Sequence, residues 1–314
     1  MWAFMSSAIP WLAVYGFGAH IKSTQKKLLI LNKGIVEEYP LLEVQNLLIV
    51  GGHTLNTTTI SHLLKNGSYI SFFEPDGTPL GIIRPSVNCN DKEIQHLQED
   101  LPRHRYATKI AQASLRSRLI VIERLQDLRS ADLLYDGELQ VLHNALNEMD
   151  YLVKLDEIRR LSNLTTDMYY EILSRDVPEC FSFKRRTVRP QCDPINAMLS
   201  FGYAMLYGNC CVSVIGARLD PDLGLLHEGQ GALVQDLIGS FKAEMIDPVV
   251  CSIARDSLKP DDFEQTPTRC MLSDTLVKQL ICAFKKSIDN KKIDSQVNNF
   301  LKAIQKLEDF TVMY

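Results

Sequence analysis

An α+β fold is the expectation for this chain, with a small β-rich N-terminal domain followed by a larger all-helical C-terminal domain. Three observations lead there. Up to about Pro85, short apolar runs alternate with turn signals; from Ser86 to Glu99 the chain is polar and aperiodic; from Leu101 onward apolar residues recur at helical spacing. The expected boundaries are therefore a β-rich unit over 1–86, a linker over 87–100 and a helical unit over 101–314. At 314 residues the chain is long enough for two such units.

Met1 to Ala19 is apolar but lacks the basic start of a signal peptide, and Pro10, Gly16 and Gly18 interrupt it, so Trp11 to Tyr15 reads as a buried strand. Leu28 to Leu31 and Ile35 to Tyr39 flank the turn signal Asn32-Lys33-Gly34. Leu47 to Val50 is a further strand, closed by Gly51-Gly52. Asn56 suits the cap of a short helix carrying Ile60, Leu63 and Leu64, which Asn66-Gly67 ends. Tyr69 to Phe73 and Leu80 to Ile83 bracket Glu74-Pro75-Asp76-Gly77, a hairpin turn.

The helical part opens with Leu115, Leu119, Ile122 and Leu125 on one stripe. Arg103, Arg105, Lys109, Arg116, Arg118, Arg124 and Arg129 occupy the other faces, which reads as a solubilising surface or a second basic patch. Further helices are expected over Glu138 to Leu161, Thr165 to Leu173, Pro194 to Leu206, Gly231 to Ser252 and Ser273 to Ser287.

Apolar residues make up 46% and charged residues 23%, an ordinary folded composition, and the net charge of -4 gives no global attraction to nucleic acid. Any such binding must come from local basic patches. Eight scattered cysteines include no C-x-x-C pair, which argues for reduced thiols in a cytoplasmic protein rather than a zinc knuckle or disulfide framework. No segment of transmembrane length stands out, so a soluble chain with no membrane role is expected.

Two places carry chemistry. Lys184, Arg185, Arg186 and Arg189 lie together beside Phe181 and Phe183 and lead into Asp193-Pro194, where Asp193 is suited to cap a helix. A basic cluster held at a helix entrance favours phosphate, and hence nucleic acid. Downstream, His227 follows an apolar run and Asp236 sits among Leu233, Val234, Leu237 and Ile238, where a carboxylate needs a metal, an arginine or backbone donors. Spacing alone leaves these alternatives open.

The run Arg189-Pro190, Asp193-Pro194, Asn196-Ala197, Leu199-Ser200, Tyr203 and Leu206 resembles the CRISPR-associated protein 1 family, the integrase and endonuclease of spacer acquisition. Leu219-Asp220-Pro221, Gly224, His227, Asp236-Leu237, Phe241 and Asp247 continue the resemblance in order. It implies a DNA-binding homodimer joined through the N-terminal β domain, Mg²⁺ or Mn²⁺ as cofactor, and the small second CRISPR-associated protein or an active paralogue as partner. The resemblance also carries the histidine ligand to His227 and a neighbouring aspartate to Asp236. The family's other two ligands, a glutamate in E-G-x-A-A-x-x-Y and the acid ending D-L-x-E, fall on Ser162 and Gly239. Glu157, Asp167, Glu228 and Glu244 are the carboxylates near enough in sequence to substitute. The expectation is therefore a DNA-binding paralogue with impaired or lost catalysis, a metal not tightly held, and a structural or regulatory role. The alternative is an active metal-dependent integrase.

Overall fold

The structure, a computed structural model, describes residues 11–85, 91–128, 133–188, 191–266, 269–306 and 308–314, the side chains of 91 and 92 excepted. Six strands form one mixed sheet: β1 (Trp11–Ser23), β2 (Lys27–Asn32), β3 (Ile35–Pro40), β4 (Asn46–Leu55), β5 (Tyr69–Phe73) and β6 (Pro79–Ile83), in the order β3-β2-β1-β4-β5-β6. The expected hairpin turn is present: Lys33 and Gly34 take φ of 48° and 82°, the paired positive angles that match the twist of the flanking strands. Helix α1 (Thr57–Lys65) carries the chain from β4 to its parallel neighbour β5, and the Asn56 side chain accepts from the backbone N–H of Thr59 at 2.8 Å, as its cap position requires.

β1 and β4 run past the points where the sequence suggests they end. The reason is a paired glycine irregularity. Gly16 and Gly51 face each other in register with φ of 99° and 96°, and a Cβ on Gly51 would stand 2.2 Å from the Gly16 carbonyl oxygen. Only glycine permits that approach, so residues that read singly as strand ends mark a bend shared by two strands.

Alternation along β4 divides the core. Leu47 and Ile49 face one side, with Ile21, Leu63 of α1 and Ile70. Leu48 and Val50 face the other, with Trp11 and Phe73, and belong to the core of the helical half.

That half contains α2 (Asp91–Glu99), α3 (Arg103–Leu128), α4 (Glu138–Glu148), α5 (Leu155–Ser174), α6 (Pro194–Gly216), α7 (Ala232–Phe241), α8 (Asp247–Asp256), α9 (Asp274–Ser287) and α10 (Asn290–Lys306). It departs from the sequence reading in five ways. Nine residues of the segment expected as linker form α2, where buried Gln98 accepts from the backbone N–H of Asp220 at 2.8 Å and donates to its carbonyl at 3.2 Å; residues 86–90 lie outside the described residues. The expected helix over Glu138 to Leu161 is two, and its second part continues through Thr165 to Leu173, which places Ser162 in mid-helix. The half is also not all-helical, since β7 (Phe263–Thr266) and β8 (Arg269–Leu272) pair as a hairpin. α10, not expected, buries Ile293, Val297, Phe300, Leu301 and Ile304 on one face.

Helix α6 is the fifth difference. It runs to Gly216 and is long and apolar enough, by length and composition, to cross a membrane. More than half of its most apolar window is buried inside the fold, as suits a helix apolar on all sides. The β5–β6 turn docks on it at Gly208, where a Cβ would stand 1.7 Å from the carbonyl oxygen of Asp76.

Candidate functional site

Asp236 is 1% exposed and its two oxygens are fully engaged. Oδ2 accepts from the backbone N–H groups of Leu225 at 2.5 Å and Leu226 at 3.0 Å; Oδ1 accepts from the N–H of His227 at 3.1 Å and lies 2.6 Å from Nδ1 of the His227 ring. The partners a buried carboxylate needs are thus backbone donors and the histidine. His227 keeps 53% of its side chain exposed, with Nδ1 held by the carboxylate, an arrangement that leaves Nε2 as the reactive nitrogen.

The His227 ring lines a shallow cavity of about 280 Å³ with Arg159, Ser162, Asn163, Leu226 and Glu228. α5 supplies Arg159 and Ser162 one turn apart. Arg159 fastens the histidine loop, donating from Nε to the Leu226 carbonyl at 2.5 Å, from Nη2 to Glu228 at 2.6 Å and from Nη1 to Asp156 at 3.0 Å. Ser162 and His227 therefore line the same cavity. Gly239 lies on α7 against α3, its carbonyl accepting from the Ser114 hydroxyl at 3.0 Å.

The substitute carboxylates are committed elsewhere. Glu157 accepts from the Lys154 N–H at the start of α5, Glu228 pairs with Arg159, and Glu244 takes Lys292 on both oxygens at 2.7 Å. Asp167 lines a different cavity, of about 810 Å³, together with Glu171, Arg175, Lys184, Arg185 and Arg186.

The basic segment divides in two. Lys184 and Arg185 are exposed and lie on that larger cavity. Arg186 turns inward, donating to Asn196 Oδ1 at 2.9 Å and Ser200 Oγ at 2.8 Å. Asp193 caps α6 as the sequence suggests, accepting from the Asn196 N–H at 2.8 Å. Arg189 lies outside the described residues, as does Arg129. The basic face expected on α3 is interrupted: Arg118 is 8% exposed, with its guanidinium 5.8 Å from the centre of the Tyr169 ring.

A second polar group, built on Asp247 and Tyr203 of the resemblance but given no role there, lies among α5, α6 and α8. Asp247 is fully buried and accepts from the hydroxyls of Tyr169, at 2.9 Å, and Tyr203, which in turn lies 2.5 Å from the Tyr170 hydroxyl. A π turn over Lys242–Ile246 joins α7 to α8, and its closing bond from the Asp247 N–H to the Lys242 carbonyl stacks these two residues on one face. In a regular helix they would point well apart. Tyr203 is consequently shared: the Lys242 ammonium lies 5.5 Å and the Arg186 guanidinium 5.3 Å from its ring centre.

Burial pushes the Asp247 carboxyl up to about 6, against the opposing pull of the two tyrosine hydroxyls and of Arg118 and Lys242. The folded chain thus holds a proton that the unfolded chain, titrating near 3.8, has released. This contribution to stability is complete below about pH 4 and is lost as pH rises through about 6. The melting temperature of the parent relative to Asp247→Asn is accordingly expected to fall between these two pH values. A difference that stays flat with pH would contradict the buried, proton-holding Asp247.

A family model described as CRISPR associated protein Cas1 matches residues 12–286. The chain is 40% identical over 299 residues, 95% of its length and 99% of the relative's, to a putative CRISPR-associated endonuclease Cas1 2 of Methanospirillum hungatei JF-1. Among solved structures, a casposase bound to its integration product superposes with a TM-score of 0.82 over 98% of this chain and 99% of that one, at 20% identity. A partial Cas6-RT-Cas1–Cas2 complex gives 0.78 over 96% and 98%, also at 20% identity.

Proposed function

Because the chain belongs to the Cas1 family of CRISPR spacer-acquisition integrases and endonucleases, we propose that it binds DNA within that machinery without performing metal-dependent strand transfer. One observation carries the reading: the carboxylate beside His227 is saturated, and the remaining family positions hold Ser162 and Gly239. Mg²⁺ and Mn²⁺ favour several oxygen ligands, carboxylates among them, in octahedral arrangement. The donors at His227 do not fit such an ion: the ring offers Nε2, Ser162 is a neutral side chain, Glu228 is held by Arg159, and among the described residues no three His, Cys, Asp or Glu side chains converge. Without the metal, phosphodiester transfer loses its main stabilisation of the attacking and leaving oxygens.

DNA reaches the protein in this reading through Lys184 and Arg185 on their cavity, together with Arg189. The second CRISPR-associated protein is the partner that the Cas1–Cas2 relative suggests. A homodimer is supported by apolar residues left open on the sheet, Phe17 on β1, Ile35 and Val36 on the edge strand β3, and Leu80 and Ile82 on the edge strand β6. The N-terminal unit then serves dimerisation, and the structural or regulatory role is exercised beside an active paralogue.

The half-exposed His227 ring, with Nδ1 fixed by a carboxylate, is the observation that favours an active site instead. The two readings separate in a strand-transfer and cleavage assay on branched DNA with Mg²⁺ or Mn²⁺. Material shown by sedimentation to be a dimer is expected to bind the DNA and leave it uncut. Turnover abolished by His227→Ala would overturn the inactive reading, and a monomer would remove the dimer from it.

A further inference from the structure

The β7–β8 hairpin is tied by its backbone to the segment that enters α6. The Cys270 N–H of β8 donates to the Gln191 carbonyl at 2.8 Å. Across the hairpin Gln265 stands opposite Cys270, and its Nε2 donates to the Cys192 carbonyl at 2.6 Å. These bonds set Cys192 and Cys270 side by side. A peptide hydrogen bond of ordinary length holds the donor's Cα about 5–6 Å from the Cα that follows the accepting carbonyl. That separation lies within the roughly 4.4–6.8 Å across which a disulfide reaches.

Both thiols are reduced, Cys192 half-buried and Cys270 buried. Burial pushes the Cys270 thiol up to about 11, and the charges of Asp193 and Cys192 add to the rise, so the two sulfurs also feel each other. Other cysteines are placed differently. Cys180 and Cys282 are exposed, while Cys210 and Cys211 are neighbours in sequence, buried in α6, and cannot take ordinary disulfide geometry with each other.

We propose that Cys192 and Cys270 are a redox pair that closes into a disulfide under peroxide and so staples the β7–β8 hairpin to the entrance of α6. Cys192 reacts first, because it is the member with an open side. Its thiolate attacks the peroxide and breaks the O–O bond, giving a sulfenic acid and hydroxide. The Cys270 sulfur then displaces the sulfenic oxygen, which leaves as water with the thiol proton, and the S–S bond forms. Over both steps the two sulfurs are oxidised and one peroxide is reduced to two waters. The bridge has leverage on its surroundings. Asp193, the next residue, caps α6, and Asn196 in the first turn accepts from Arg186. Phe263 of β7 already packs edge-on against Phe181, with ring centres 6.0 Å apart. Oxidation therefore stiffens the joint between the hairpin, the basic segment and α6.

The test treats the full chain with a slight molar excess of hydrogen peroxide, blocks the remaining thiols and maps tryptic peptides without reductant. The intact chain is expected to lose two hydrogens, and peptide 187–218 to appear joined to peptide 270–278. Closing the long loop between the two cysteines is expected to raise the melting temperature by about 5 °C, a shift that dithiothreitol reverses. Cys192→Ser removes both the joined peptide and the shift. Cys180→Ser combined with Cys282→Ser keeps them, which sets bridges between molecules aside. Cys270 still blocked as a thiol after peroxide, with Cys192 carried on to the sulfinic acid, would overturn the pair. So would a joined peptide that survives Cys192→Ser, since the bridge would then lie on Cys210 or Cys211. A bridge between the right peptides that leaves the melting temperature unmoved would show that it staples nothing.

Discussion

Asp236→Ala is expected to destabilise the fold by about 3–5 kcal/mol, several times the cost of His227→Ala. The carboxylate accepts three backbone N–H groups, those of Leu225 and Leu226 buried, and also holds the His227 ring. Alanine would strand all of these donors, and each buried donor left unpaired costs about 1–3 kcal/mol. Asp236→Asn fares little better, because its amide NH₂ must face N–H groups that need an acceptor. His227→Ala removes a ring more than half exposed and is expected to cost less than about 1 kcal/mol. Denaturant midpoints measure both. Equal, small losses for the two variants would sink the view that Asp236 builds the loop first and orients the histidine through it.

The difference between Asp236 and His227 also shows where sequence reading succeeds and where it stops. Chemistry that closes within a few residues was legible: the Lys33-Gly34 turn, the Asn56 cap on α1 and the Asp193 cap on α6 all stand where residue type placed them. Asp236 was recognised as a carboxylate in need of partners, but the sequence left metal, arginine and backbone equally open. Pairings across the chain were not legible. Gly16 and Gly51 look like strand ends until the parallel register sets one against the other. α2 is hard to read because its nine residues offer only Ile94 and Leu97 as apolar side chains, and buried Gln98 ties it to the backbone of a loop 122 residues away. Arg118 sits in a run of basic residues that resembles a solvated face, yet α3 is central and buries it.

The phase shift between Lys242 and Asp247 escaped for a related reason. A helical period of 3.6 places residues five apart on different faces, while the π turn stacks them. The sequence signal that remained was chemical: an aspartate and a lysine with Glu244 between them in a largely apolar stretch, and three tyrosines upstream at 169, 170 and 203. Residue types of that kind need mutual partners when buried, and here they have found them. The missing acids at 162 and 239 follow from the resemblance, but that Gly239 packs against Ser114 of α3 emerges only in three dimensions.

The seam between sheet and helices should be the point where one methyl group does most damage. Gly208→Ala is expected to cost about 3 kcal/mol, at the upper end for overpacking, because the added carbon would meet backbone rather than a side chain that can turn away. Its Cβ would lie 1.7 Å from the Asp76 carbonyl oxygen and 3.3 Å from the Gly77 Cα, and a Cβ on Gly77 would lie 2.3 Å from the Gly208 carbonyl. Gly34→Ala is the control for Gly77→Ala, since its φ of 82° is as left-handed as the 89° of Gly77 but its surroundings are open; strain alone should cost about 1 kcal/mol there. Thermal or denaturant unfolding should therefore rank Gly34→Ala well below Gly208→Ala, with the Gly77→Ala and Gly208→Ala pair costing less than the sum of its parts, because both press on the same contact. Equal losses at Gly34 and Gly208 would show that the turn gives way without resistance. If the ranking holds, the damage should spread to DNA binding, because α6 also carries Asn196, Ser200 and Tyr203, the residues against which Arg186 is set. A hairpin tip in the β half would then govern the position of Arg186 in the helical half.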